Sequence, residues 1–132
     1  MLLKYSIFVI TGLLIFGVSA CNDLSNKPEI GDEVVIYNAK YNTADFEKVK
    51  KVHPEGFGKA MDASGQDRIT YFLEDKENNQ IVAISFFIKE STVEDWHNHE
   101  GRNEIIKILK PLLREPITHK KFTVINVHST NK

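Results

Sequence analysis

The sequence predicts an α+β domain over residues 33–128, and three observations carry that prediction. Runs of β-branched and aromatic residues free of Pro and Gly recur at residues 33–41 (EVVIYNAKY), 68–74 (RITYFLE), 81–88 (IVAISFFI) and 121–128 (KFTVINVH), the pattern of buried strands. Helical periodicity fills the gap after the first run and the gap before the last. The length, 132 residues, leaves room for about one domain. Strand, helix, two or three strands, broken helix, strand fits a ferredoxin-like βαββαβ antiparallel sheet with helices on one face.

The elements follow in order. After the first strand, Thr43 is placed to cap a short helix in which Phe46, Val49 and Val52 recur at three-residue spacing, and Pro54 is expected to stop it. The segment HPEGFG reads as a turn, with residues 59–64 leading into the strand at 68–74. That strand and 81–88, joined by the polar DKENNQ, form an antiparallel hairpin. Ser91 followed three residues later by Glu94 is a capping box that opens the second helical region. There Ile105, Ile108, Leu109 and Leu112 share one face, but Trp96 lies half a turn out of phase with them. The region is therefore predicted as two pieces, one ending near His97 and one from about Arg102 to Lys110, separated at HNHEG and closed by Pro111.

Both alternating sets of the first strand are largely apolar: Val34, Ile36 and Asn38 on one side, Val35, Tyr37 and Ala39 on the other. Residues 81–88 behave the same way, so the second sheet face is expected to be covered. Homodimerisation through the sheet face is the economical cover.

Ahead of the domain, residues 7–18 (IFVITGLLIFGV) are an apolar run well short of the roughly 20 residues of a spanning helix. Such a run matches the hydrophobic region of an export signal. Val18-Ser19-Ala20-Cys21 follows at once and resembles the bacterial lipobox, in which the cysteine is lipidated and becomes the mature N-terminus. The sequence thus predicts a lipoprotein signal peptide at 1–20, a lipidated Cys21 and a linker to residue 32. The plain alternative is an ordinary signal cut after Ala20, leaving a free thiol. Several acyl chains, each gaining about 0.8 kcal/mol per buried CH₂, would hold the protein on a membrane of the bacterial envelope. Asn22 after the cysteine points to the periplasmic side of the outer membrane if the host is Gram-negative.

Composition removes other classes. A formal net charge of −1 gives no basic footprint for nucleic acid, and 8 Phe, 4 Tyr and 1 Trp argue against disorder. The single cysteine excludes an internal disulfide, a four-cysteine zinc site and a CxxC pair. His97 and His99 with Glu100 invite a metal reading, but on a helix these histidines point about 200° apart, so no metal is expected. His53, His119 and His128 are expected in solvent. No GxSxG, P-loop or free cysteine nucleophile is present, and Gly56-Phe57-Gly58 reads as a turn.

The βαββαβ order, the broken second helix with Trp96, His99 and the Ile105-Ile106 pair, and the segment KPLLREP at residues 110–116 resemble the antibiotic biosynthesis monooxygenase superfamily of dimeric α/β barrels. The resemblance implies a cavity between sheet and helices and, in its catalytic members, oxygenation of phenolic or quinol substrates without a cofactor. It places Asn38 and Trp96 as catalytic residues facing that cavity, donating hydrogen bonds to a substrate oxygen, with His99 and Tyr37 binding substrate. Heme-degrading relatives carry an axial His about ten residues beyond the Trp, where this chain has Ile106. Asn38 could instead satisfy a neighbouring backbone group, and Trp96 could be a helix-to-sheet packing residue. The alternative function is a non-catalytic small-ligand-binding or stress-related envelope module.

Overall fold

The computed structural model describes residues 26–130. The signal-peptide and Cys21 predictions lie outside them. Strand β1 (Glu33–Lys40) is followed by a 3₁₀ turn, Thr43–Asp45, and helix α1 (Phe46–Ser64). The hairpin β2 (Arg68–Asp75) and β3 (Gln80–Phe87) comes next, then short helix α2 (Val93–His97), helix α3 (Glu100–Leu109) with a 3₁₀ turn at Lys110–Leu112, and β4 (Thr118–Thr123). The sheet is antiparallel throughout, in the order β2-β3-β1-β4, with the helices on one face. This is the α+β ferredoxin-like architecture.

Strand parity decides what meets the helices. Val35, Ala39, Ile81 and Phe87 point to them and form the core with Phe46, Val49, Phe57 and Ala60 of α1, Val93 and Trp96 of α2, and Leu109 of α3. Trp96, Tyr41, Phe87 and Leu109 are among the largest side chains fully buried, each worth about 1.5–3 kcal/mol for the apolar surface it takes from water. The opposite face presents three rows read from the strand register. Ile69, Phe86, Val34 and Phe122 form one, Tyr71, Ile84, Ile36 and Lys120 the next, and Leu73, Val82, Asn38 and Thr118 the third.

Five local expectations are corrected. Helix α1 does not stop at Pro54 but runs ten residues further, taking in the expected turn. Burial of Phe57 and Ala60 against the sheet outweighs the amide lost at Pro54, and Gly65, at a φ of 66°, ends the helix where only a glycine adopts the left-handed cap freely. Gly56 sits mid-helix because α3 passes over it: a Cβ there would lie 3.1 Å from Ile105 Cδ1. The buried stripe of α1 passes through His53, which is 4% exposed, rather than Val52, at 37%.

The second helical region breaks where expected, but its cap is Thr92, whose hydroxyl accepts from the Asp95 amide. Ser91 instead turns its hydroxyl to the carbonyls of Asp67 and Ile88. On α3, Ile105, Ile106 and Leu109 face the core, while Ile108 is 61% exposed. Finally, β4 begins and ends earlier than residues 121–128, because Glu33, the first residue of β1, already pairs with Thr123. Beyond it Val124 is still held, through Asp32 and Gly31, and Ile125 and Val127 are exposed.

Candidate functional site

Between sheet and helices lies a cavity of about 30 Å³, roomy enough for about two water molecules. Tyr37 and Ala39 of β1, Ala83 and Ser85 of β3, His53 and Phe57 of α1, Trp96 of α2, and Arg102 and Ile106 of α3 contribute to its wall. A larger open groove of about 460 Å³ runs alongside, between α3 and β4, bounded by Lys110, Arg114, Glu115 and His119. Cavity and groove share Arg102, Ile106 and Ile117 as a common wall.

Parity brings the functional groups together at the β1–β4 edge. Tyr37 and His119 are register partners, so both rings project toward the helices. His97, at the end of α2, closes the group: its Nε2 lies 2.9 Å from the Tyr37 hydroxyl, and its ring meets His119 edge to face with centroids 4.8 Å apart. Burial pushes the Tyr37 phenol up to about 12, against the opposing pull of the Arg102 and Arg68 charges. Burial, helped by Arg102 and His119, lowers His97 to about 4. At neutral pH the phenol is therefore protonated and the imidazole neutral. With the imidazole proton on Nδ1, the phenol O–H donates to Nε2.

Positive charge gathers on the same side. Arg102 donates through Nη1 to the His97 carbonyl and to Asn103 Oδ1, at 3.4 and 3.1 Å. Arg68, the first residue of β2, lays its guanidinium over Trp96 at 3.7 Å from the ring centroid and 5.1 Å from that of Phe87. Its Nε, Nη1 and Nη2 are all buried without a hydrogen-bond partner among the described residues. Desolvation lowers Arg68 to about 10, which leaves it charged at neutral pH, and lowers Arg102 as well. Among the described residues neither arginine has a carboxylate within ion-pair distance. The arrangement is a neutral base and a protonated phenol in a positive field, which favours an anion over its neutral acid.

The residues expected from the sequence are divided between two faces. Tyr37 and Trp96 line the same cavity. His99 stacks on Trp96 with centroids 5.8 Å apart, its Nδ1 buried and unpartnered, and lies outside the cavity wall. Asn38 is the correction: expected to face the cavity, it sits on the opposite sheet face, one residue out of phase with Tyr37 and Ala39. There its Oδ1 accepts from Gln80 Nε2 at 2.7 Å. His97 and His99 turn to different partners, and among the described residues no three metal-ligand side chains assemble.

Sequence reasoning missed Arg68 and Arg102, and it placed His53 and His119 in solvent. His119 is exposed yet holds its ring against His97, whereas His53 is buried and bonded to the Tyr41 hydroxyl. Arg68 carried a usable signal, since Arg68, Thr70 and Phe72 share strand parity and Phe72 is an inward position.

No family model matches the chain, and no curated protein matches it. Solved structures do. A protein from Nitrosomonas europaea, provisionally assigned as an antibiotic biosynthesis monooxygenase, superposes with a TM-score of 0.58 at 13% identity, covering 72% of this chain and 91% of that one. One from Caulobacter crescentus with the same provisional assignment gives 0.59 at 10% identity, over 75% and 94% of the two chains. A second Nitrosomonas europaea protein, of unknown function, gives 0.62 at 10% identity, over 78% and 98%. The chain thus has the ferredoxin-like fold of antibiotic biosynthesis monooxygenase-like proteins.

Proposed function

We propose that the domain is a cofactor-independent oxygenase of a small aromatic or quinol compound, anchored to the bacterial envelope through lipid on Cys21 and dimeric through its open sheet face. The observation that carries the chemistry is the Tyr37–His97 pair beside Arg102 and Arg68. Tyr37, which lines the cavity and donates to the neutral His97 imidazole, can relay a proton from a substrate phenol to it, and two guanidinium charges favour the resulting phenolate. The electron-rich carbon of such an anion reduces O₂ directly. For an anthrone-type substrate the ring CH₂ and O₂ become a carbonyl and water, with all four electrons drawn from the substrate. Ile106 and Ile117 supply an apolar wall for the ring in the groove.

Non-catalytic binding of a small ligand is supported by a specific observation of its own. Phe57, Phe72, Ile81 and Ile106 close most of the wall and leave a cavity of only about 30 Å³, so a substrate ring is confined to the groove.

Oxygen uptake against anthrones, naphthols and quinols, measured in membrane and soluble fractions of cells making the full chain, tests the proposal. Uptake is expected in the membrane fraction, moving to the soluble fraction in Cys21→Ser and falling at least tenfold in His97→Ala. Uptake at background in every fraction, with the protein present, removes the oxygenase and leaves the binding module.

A further inference from the structure

The three nitrogens of Arg68 are buried donors with no acceptor among the described residues, a costly arrangement to keep in a resting state. Arg102, the second cation on this side of the sheet, is also partly desolvated, and its Nη1 reaches only a neutral carbonyl and an amide oxygen. Both act on the same atom group, the Tyr37 phenol. The cavity is too small for a ring but admits a group of two or three heavy atoms, while the adjoining groove is large enough for the rest of a small molecule. Arg102, Ile106 and Ile117 bound both spaces.

We propose that Arg102, which bounds both spaces, holds the carboxylate of a small aromatic acid whose ring lies in the groove, with Arg68, stacked on Trp96 and outside the lining of either space, adding its charge. The inference deepens the reading of this end of the sheet as the working site and rests on it. A planar carboxylate matches the fork of an Arg side chain, and its charge answers two cations that have no acid partner among the described residues. The apolar wall of Ile106 and Ile117 suits a ring. A phosphate, tetrahedral and bulkier, fits the small cavity less well.

Trp96 is the chain's single tryptophan and lies under the Arg68 guanidinium, so its fluorescence reports on the subsite directly. The full-length protein in detergent is titrated with benzoate, with benzamide as the neutral isostere, and with inorganic phosphate. Benzoate is expected to change the fluorescence saturably, at least tenfold more tightly than benzamide or phosphate. Arg102→Gln should lose at least tenfold of the benzoate affinity, while Arg68→Lys, which keeps the charge, should retain most of it. Arg68→Met should weaken benzoate binding yet melt at a higher temperature than the wild type in the absence of ligand, because an orphan buried charge is gone.

Equal binding of benzoate and benzamide overturns the proposal, as does phosphate binding as tightly as benzoate. A lower melting temperature in Arg68→Met with benzoate affinity unchanged also overturns it, and makes the stack on Trp96 structural. Benzoate binding by a protein that consumes no oxygen leaves the subsite standing without the oxygenase. Oxygen uptake with no preference for carboxylated substrates does the reverse.

Discussion

Burial holds the His53 imidazole at about 4, against an ordinary value near 6.5, inside a nest of Tyr41, Phe57 and Phe72 rings. The folded protein binds the proton less readily than the unfolded chain, so the stability this group contributes is complete above pH 6.5 and is lost as pH falls from there to about 4. For a group this buried the loss is on the order of 3 kcal/mol. His97, lowered to a similar value but much more exposed, adds in the same direction and more weakly. Urea denaturation at pH 7.5 and pH 4.5 should show the midpoint falling with acid, and His53→Gln should flatten that dependence. An unchanged slope in His53→Gln would place the acid sensitivity elsewhere. The same residues mark where the site was legible. Tyr37 and Trp96 could be read, as an aromatic on a strand and the one indole of a capped helix. Asn38 could not be assigned a face, because both alternating sets of β1 are apolar and parity alone leaves two phases open. His53 was hidden by Val52 beside it, which offered the helical stripe a more ordinary member.

At the scale of elements, α1 is where local propensity and tertiary packing disagree. Pro54 lacks an amide hydrogen and sits in the ninth position of a 19-residue helix, leaving the Lys50 carbonyl without its usual donor. Sequence rules stop the helix there, and they cannot register that the downstream turns bury Phe57 and Ala60 and approach Ile105 through Gly56. Pro54→Ala is expected to stabilise the fold by about 2 kcal/mol in urea titration. A destabilised variant would mean that the proline sets a bend the packing of α1 on α3 requires. The remaining elements were legible because their signals are local: two strands around a polar turn, and a phase slip between Trp96 and Ile105 that no straight helix accommodates. The end of β4 was not, since it is fixed by where β1 begins.

For the whole molecule the decisive surface is the sheet face away from the helices. Tyr71 and Leu73 are 57% and 47% exposed there, and Ile36, Ile84, Val82 and Phe86 continue the patch across the strands. A second copy offers the same surface back, as a two-fold interface requires. Light scattering on the full chain in detergent should report a dimer at micromolar concentration. Ile84→Asp, at the centre of the patch, should weaken it on the order of a hundredfold by forcing a carboxylate into the interface. A monomeric wild type would leave the apolar face to another partner and remove the barrel. The outer strand of the sheet carries a different message. All six residues of β4 are exposed, and three consecutive ones, His119, Lys120 and Lys121, are basic or titratable, with Lys121 tied across to Glu33 at 2.8 Å. The β4 strand of a second copy pairing with that edge would bring Lys120 and Lys121 against like charge. The β4 edge therefore resists being extended by a second copy of itself, which leaves β2, at the opposite edge, as the strand open to sideways pairing.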